Sequence, residues 1–187
     1  MKEIRIHARA GQGAITTASI LGHAYFTKGK YPYAFPHFGA ARMGAPMNAF
    51  VRIEDKPVRL RSQVYEPDYL IVVDATLMRG NDCYQGFKDD GVAVVSEREG
   101  IDIPVPKGKQ KLVVVPANKI SMELMNGRTL LSNTVLLGAF AAATGELALE
   151  DLTKAVTESF RDKGEKIVKM NVDALKRGFD FVKDTKN

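Results

Sequence analysis

The 187-residue chain has a single cysteine, Cys83. With no second thiol there is no intrachain disulfide, and cysteines of this chain alone cannot hold an iron–sulfur cluster. Histidine is nearly as scarce. His7, His23 and His37 lack metal-ligand spacing to one another, to the cysteine or to an acidic cluster, so no metal site is expected. Long apolar runs are also missing. No stretch reaches the length that spans a bilayer, and the N-terminus enters a strand pattern without a basic and apolar leader, so a cytoplasmic protein with no membrane role is expected.

The signatures of a free-standing catalyst are absent as well. There is no Gly-x-Ser-x-Gly elbow, no cysteine organised with a histidine and no group of carboxylates, so no catalytic residue is assigned. Asp74 ends an apolar run where a site residue could stand, has no evident partner in the sequence, and reads more readily as a helix cap. The net charge of +5 and pI near 9.3 permit an acidic partner. Basic residues are nevertheless spread along the chain and mixed with Asp and Glu near its end, with no basic stripe carrying aromatics, which argues against nucleic acid.

What remains is an ordinary globular composition, 45% hydrophobic and 26% charged, read as one domain over residues 1–187. Ile4, Ile6 and Ala8 alternate with polar residues in a first strand with one covered face. From Ala14 a helix presents Ile15, Ala18, Leu21 and Tyr25, with Gly29 as its C-terminal cap. Residues 30–39 hold two prolines and four aromatics without strand or helix period, and read as a loop. It either folds over the domain's own core or meets another subunit. Residues 47–53 form a second strand, 54–57 a turn and 58–60 the returning arm of a hairpin, which makes the sheet mixed.

Residues 69–73, 92–95 and 112–115 are buried apolar strands, with a short helix over 75–87 and a proline-marked connection over 101–106. Helices follow over 117–125, 129–144 with Gly145 as cap, from Glu150 through Leu152, Ala155, Val156 and Phe160, and over 167–182. The fold class is α/β: a single three-layer α/β/α domain with a mixed sheet of about six strands.

The informative stretch is Arg9-Ala10-Gly11-Gln12-Gly13, where the first strand turns into the first helix. Such a turn aims backbone N–H groups and the positive end of the helix dipole at whatever lies above it. The spacing matches neither the dinucleotide fingerprint nor the P-loop, because the third glycine and the Lys-Ser or Lys-Thr pair are missing. Gly11 and Gly13 therefore either bind an anion or only permit a tight turn and close packing.

This block with Thr16, then Phe35-Pro36-His37-Phe38-Gly39-Ala40-Ala41-Arg42-Met43-Gly44-Ala45-Pro46, then Arg61-Ser62-Gln63-Val64-Tyr65-Glu66-Pro67-Asp68, resembles in order the γ subunit of the 2-oxoacid:ferredoxin oxidoreductases. Asn133 in its Ser-Asn-Thr run and the closing helix continue the resemblance over essentially the whole chain. The resemblance implies a complex that oxidatively decarboxylates a 2-oxoacid, with pyruvate as the default, to an acyl-CoA. It implies thiamine diphosphate, magnesium and iron–sulfur clusters held by α, β and ferredoxin-like δ subunits, and ferredoxin or flavodoxin as electron acceptor. None of these groups is held by this chain alone.

The resemblance also implies coenzyme A as co-substrate, and Gly11, Gln12, Gly13, Arg42 and Gly44 are the residues expected to meet it. Arg42 is open to a second reading, as an ion-pair partner across a subunit interface. His37, between Pro36 and Phe38, is the histidine placed to touch a ligand or partner. Expressed alone, the chain is expected to dimerise or self-associate through Phe35, Phe38 and Met43. The reading from another class is a stand-alone α/β nucleotide- or anion-binding module that uses the glycine turn alone.

Overall fold

The computed structural model describes residues 1–38, 42–80, 82–128 and 131–185. These form six strands and five α-helices: β1 Lys2–Arg9, α1 Ala14–Thr27, β2 Tyr31–Phe38, β3 Pro46–Glu54, β4 Tyr69–Val72, β5 Val92–Ser96, β6 Lys111–Val115, α2 Ala117–Leu124, α3 Ser132–Thr144, α4 Leu149–Phe160 and α5 Glu165–Asp184. The sheet runs β2-β3-β1-β4-β5-β6. β1 is the hinge of its mixed character, antiparallel to β3 (Ile4 opposite Val51) and parallel to β4 (Ile4 opposite Tyr69).

The mixed six-stranded α/β sheet agrees with the sequence reading, but one antiparallel pair is different. The hairpin is β2 with β3, Tyr31 opposite Glu54 and Phe38 opposite Met47, while residues 58–60 are not a strand. The supposed loop over 30–39 is thus an edge strand as far as Phe38; Gly39 and the rest of that segment to residue 41 lie outside the described residues. Pro32 and Pro36 hide the strand period from the eye, and the edge is the position where missing N–H groups are tolerated.

Alternation along the strands sorts the core. Ile4, Ile6, Ala8, Ile71, Val73 and Val94 face one side and pack with all five helices in one large cluster. The opposite side carries Leu70, Val72, Ala93 and Val95, covered by a short 3-10 turn, Ala75–Arg79, and by irregular segments. The second covering layer is therefore not α-helical, and the helix expected over 75–87 is that one turn. The polar face of β1 is covered as well. Arg5 and His7 are buried, and Arg5 donates to the carbonyls of Val64, Cys83 and Gln85. Fully buried Arg52 holds the neighbouring segment in the same way, through the Ser62 and Gln63 carbonyls and Glu3. Two arginines thus supply the hydrogen bonds that a strand would have supplied to residues 58–67.

α3 is apolar all round and buried through residue 143; the expected start at Thr129 lies outside the described residues. Its left-handed C-terminal cap is Gly145, at φ 71°. No helix among the described residues is long and apolar enough to cross a membrane.

Cys83 packs against Val72, Leu77 and Val95, and burial raises its thiol to about 11 against the opposing pull of Arg5. A thiol with no disulfide or cluster to form is dispensable as a thiol, and its burial decides which replacement it tolerates. Cys83→Ala should leave assembly and turnover nearly unchanged, whereas Cys83→Ser buries a hydroxyl and should cost about 1–3 kcal/mol. Equal melting temperatures for the two variants would contradict this.

Candidate functional site

The turn between β1 and α1 is built as its glycines suggest. Gly11 sits at φ 97° and Gly13 at φ 80°, backbone that side chains with a Cβ rarely adopt. Gly13 is the N-cap of α1, and no side chain caps the helix. Gly13 also has no space for a side chain. A Cβ there would lie 2.6 Å from Nδ2 of Asn133, and that Nδ2 donates to Thr17 Oγ1 at 3.3 Å. The first turn of α3 is thus laid directly against the start of α1.

The glycine turn is held in place by Asp74, which ends up buried just after β4. Gln12 Oε1 accepts from the Arg9 backbone N–H at 2.8 Å, and Gln12 Nε2 donates to Asp74 Oδ2 at 2.8 Å. Asp74 Oδ1 accepts from Thr76 N at 3.0 Å and Thr76 Oγ1 at 2.6 Å, so the carboxylate is the helix cap that the sequence allows. It is also more than a cap. Arg9 Nε lies 3.2 Å and Arg98 Nη1 3.6 Å from it, which overturns the reading that Asp74 lacks a partner. Burial tends to raise its carboxyl, yet the Thr76 and Gln12 hydrogen bonds and the Arg98 charge outweigh burial and hold it below its ordinary 3.8.

Residues 42–45 form a second turn that docks on the first. Gly44 N–H donates to Ala10 O at 3.0 Å, Ala10 N–H to Ala45 O at 2.8 Å, and Arg9 Nη1 to Gly44 O at 3.1 Å. Met43 lies over Gly11, its sulfur 2.6 Å from where a Cβ would be, and is itself 86% exposed. The five sequence-assigned residues therefore gather beyond the C-terminal end of the central strand β1, though not in one wall. Gly11, Gln12 and Gly13 line a cavity of about 640 Å³ with Asp74, Arg98 and Asn133. Arg42 and Gly44 stand in the adjoining turn, outside the lining, and the Arg42 side chain is exposed.

The far wall of the cavity is apolar, with Met122, Met125, Phe160 and Met170. Arg98 is the residue that sequence reasoning missed. In Ser96-Glu97-Arg98-Glu99-Gly100 it looks like part of a solvated charged loop, and only the end of β5 beside β4 brings it to Asp74. Asn133 and Thr16 were visible solely through the family resemblance.

His37 lies on β2 against Gln63 Nε2, 2.9 Å from its Nε2, and shares a cavity of about 430 Å³ with His7 and Arg5 on the face away from the helices. Burial, then the Arg5 charge, push His7 down to about 4, so it is a neutral packing group at physiological pH. Among the described residues no group of three or more His, Cys, Asp or Glu could hold a metal ion.

The family model of the pyruvate ferredoxin/flavodoxin oxidoreductases matches residues 3–181. The chain is 49% identical over 156 residues to pyruvate synthase subunit PorC of Methanosarcina barkeri, covering 83% of this chain and 85% of that one. It is 42% identical over 181 residues to the pyruvate/ketoisovalerate oxidoreductases common subunit gamma of Thermococcus kodakarensis, covering 95% and 97%. Its fold matches the pyruvate oxidoreductase subunit PORC of Thermotoga maritima with a TM-score of 0.79 at 33% identity, over 96% of this chain and 95% of that one. A match along nearly the whole chain, at these identities and on the same sheet, places it: the chain belongs to the pyruvate ferredoxin/flavodoxin oxidoreductase family, as a subunit of the PorC or gamma type.

Proposed function

We propose that this gamma subunit completes the coenzyme A site of a thiamine-diphosphate-dependent complex that converts a 2-oxoacid, by default pyruvate, to an acyl-CoA. Thiamine diphosphate with magnesium and the iron–sulfur clusters belong to α, β and ferredoxin-like δ subunits, and the electrons leave on ferredoxin or flavodoxin. Bound there, thiamine diphosphate supplies the decarboxylation chemistry. This chain contributes binding and orientation as one domain over residues 1–187, in the cytoplasm. A relative described as common to pyruvate and ketoisovalerate oxidoreductases supports a gamma chain that does not choose the 2-oxoacid.

The observation that carries the reading is the docking of the 42–45 turn on the glycine turn through Ala10. It puts Arg42 in a turn bonded to the glycine turn, and the glycine turn opens into the uncapped start of α1, where N–H groups and the helix dipole favour a phosphate. Gly44 has no atom within 4 Å of a Cβ position, so a ligand can approach that backbone. Nothing in this donor set suits a neutral ligand better than an anionic one.

Arg42→Ala in the assembled complex removes one charge-assisted contact of about 1.5–3 kcal/mol. The KM for coenzyme A should rise roughly ten- to a hundredfold, with decarboxylation largely spared. An unchanged KM with weakened subunit association would make Arg42 an interface residue. The exposed Met43, Tyr65 and Phe26 are apolar surface suited to a partner, and Phe35 is half-buried against Tyr33 and Phe50; the Phe38 side chain lies outside the described residues. Tagged protein from its native host should bring the other subunits with it. Elution alone at every salt concentration would favour the stand-alone module.

A further inference from the structure

The wall of the cavity beside the glycine turn contains an arginine whose hydrogen-bonding capacity is uncommitted. Arg98 lies 3.6 Å from Asp74 Oδ1, beyond hydrogen-bond reach, and its side chain is 50% exposed. Its guanidinium donates to no group among the described residues, whereas each nitrogen of the Arg9 guanidinium, the other at Asp74, donates to Thr76 or the Gly44 carbonyl. Asp74 does not depend on Arg98 for a partner, because Gln12, both Thr76 donors and Arg9 satisfy its oxygens. The carboxylate keeps Arg98 at the cavity by charge and leaves its planar fork of donors unused.

A second, independent feature points into the same space. Asn133 is 7% exposed and lines the cavity. Its Nδ2 is taken by Thr17, while its Oδ1 receives no hydrogen bond from the described residues. An amide oxygen at the cavity wall with no protein donor is open to accept from a bound molecule or water. The cavity therefore offers five arginine N–H donors, an uncapped helix start and a waiting acceptor at one end, with methionines and Phe160 at the other.

We propose that Arg98 is a phosphate-binding residue of this subunit, turning from Asp74 to a phosphate of the coenzyme A when the ligand enters the cavity. The inference rests on the coenzyme A reading above and adds to it a residue of the cavity wall, which the 42–45 turn does not line. Asp74 stays satisfied by Gln12, Thr76 and Arg9 throughout, so the exchange leaves no buried charge alone.

The test is calorimetric titration of coenzyme A and of dephospho-coenzyme A into the assembled complex without 2-oxoacid, for wild type, Arg98→Ala, Arg98→Lys and Gly13→Ala. Arg98→Ala should weaken coenzyme A binding about ten- to a hundredfold, with a melting temperature close to wild type because the side chain is half exposed. Arg98→Lys should recover only part of the loss, since a point charge replaces a fork. A loss that is smaller for the dephospho ligand assigns Arg98 to the 3′-phosphate; an equal loss assigns it to the diphosphate. Unchanged binding in Arg98→Ala together with weakened binding in Gly13→Ala overturns the role of Arg98 and leaves the coenzyme A site standing. Wild-type affinity in both variants, or no binding by the wild-type complex, overturns the site itself.

Discussion

Gly138→Ala should remove a large part of the chain's folding stability. A Cβ at Gly138 on α3 would lie 1.8 Å from the Leu175 carbonyl oxygen and 2.8 Å from Phe179 N, both backbone atoms of α5. The contact is reciprocal: at Gly178 on α5 a Cβ would lie 1.9 Å from the Val135 carbonyl oxygen. The two helices cross on bare backbone, and neither carbonyl can yield without moving its helix. Ordinary overpacking costs about 1–3 kcal/mol where side chains can adjust. Here a buried central helix must separate from its neighbour, so roughly 4–5 kcal/mol or more is expected, a large fraction of a domain's stability. The displacement would also move Asn133, on the first turn of α3, away from Gly13. Circular dichroism melting and size exclusion read the effect, and a wild-type melting temperature in either alanine variant would contradict the close crossing.

Asp74→Ala is expected to have the second-largest effect, on stability and binding together. It leaves Gln12 Nε2 and both Thr76 donors without their acceptor and removes the counter-charge of Arg9. Breaking a buried pair costs about 3–5 kcal/mol, and the lower figure applies because Arg9 can reach water. About 3 kcal/mol corresponds to a fall of roughly 6–12 °C in melting temperature for a chain of this size. The network also ties the glycine turn to the 42–45 turn, so affinity for coenzyme A should fall as well.

The same carboxylate makes a signed prediction about pH. Its folded value lies below its ordinary 3.8, so the stability it contributes is present above about pH 4 and is lost as pH falls through the folded value. Asp74→Asn should flatten that acid limb relative to wild type. An unchanged acid limb would mean that other carboxylates carry the dependence.

Periodic burial was legible in the sequence. The starts of β1 and α1, the apolar strands β4 and β5, and the amphipathic α4 and α5 all follow from spacing, because each has an apolar face to bury. β6 lies where its apolar run puts it, but as an edge strand it is not the buried strand expected: Leu112 and Val113 are half-buried and Val114 is exposed. β2 was not legible. An edge strand with prolines at 32 and 36 loses the alternation that marks a strand, and the second arm of the hairpin was sought in residues 58–60 instead. That segment is held at Leu60, Ser62 and Gln63 by Arg52, whose burial no local pattern announces. The site divides along the same line: the glycine turn is a local signal, whereas the Gln12–Asp74 bond spans 62 residues and Arg98 reaches the cavity only through the parallel pairing of β4 with β5. Contacts made by strand order are invisible to spacing.

The most direct measurement of the central claim is hydrogen exchange on the assembled complex with and without coenzyme A. The backbone amides of residues 10–17 should exchange more slowly when the ligand is present, as should those of residues 42–45 where the second turn docks on the first. Protection confined to the partner subunits, with residues 10–17 and 42–45 of this chain unchanged, would contradict a gamma subunit that completes the coenzyme A site.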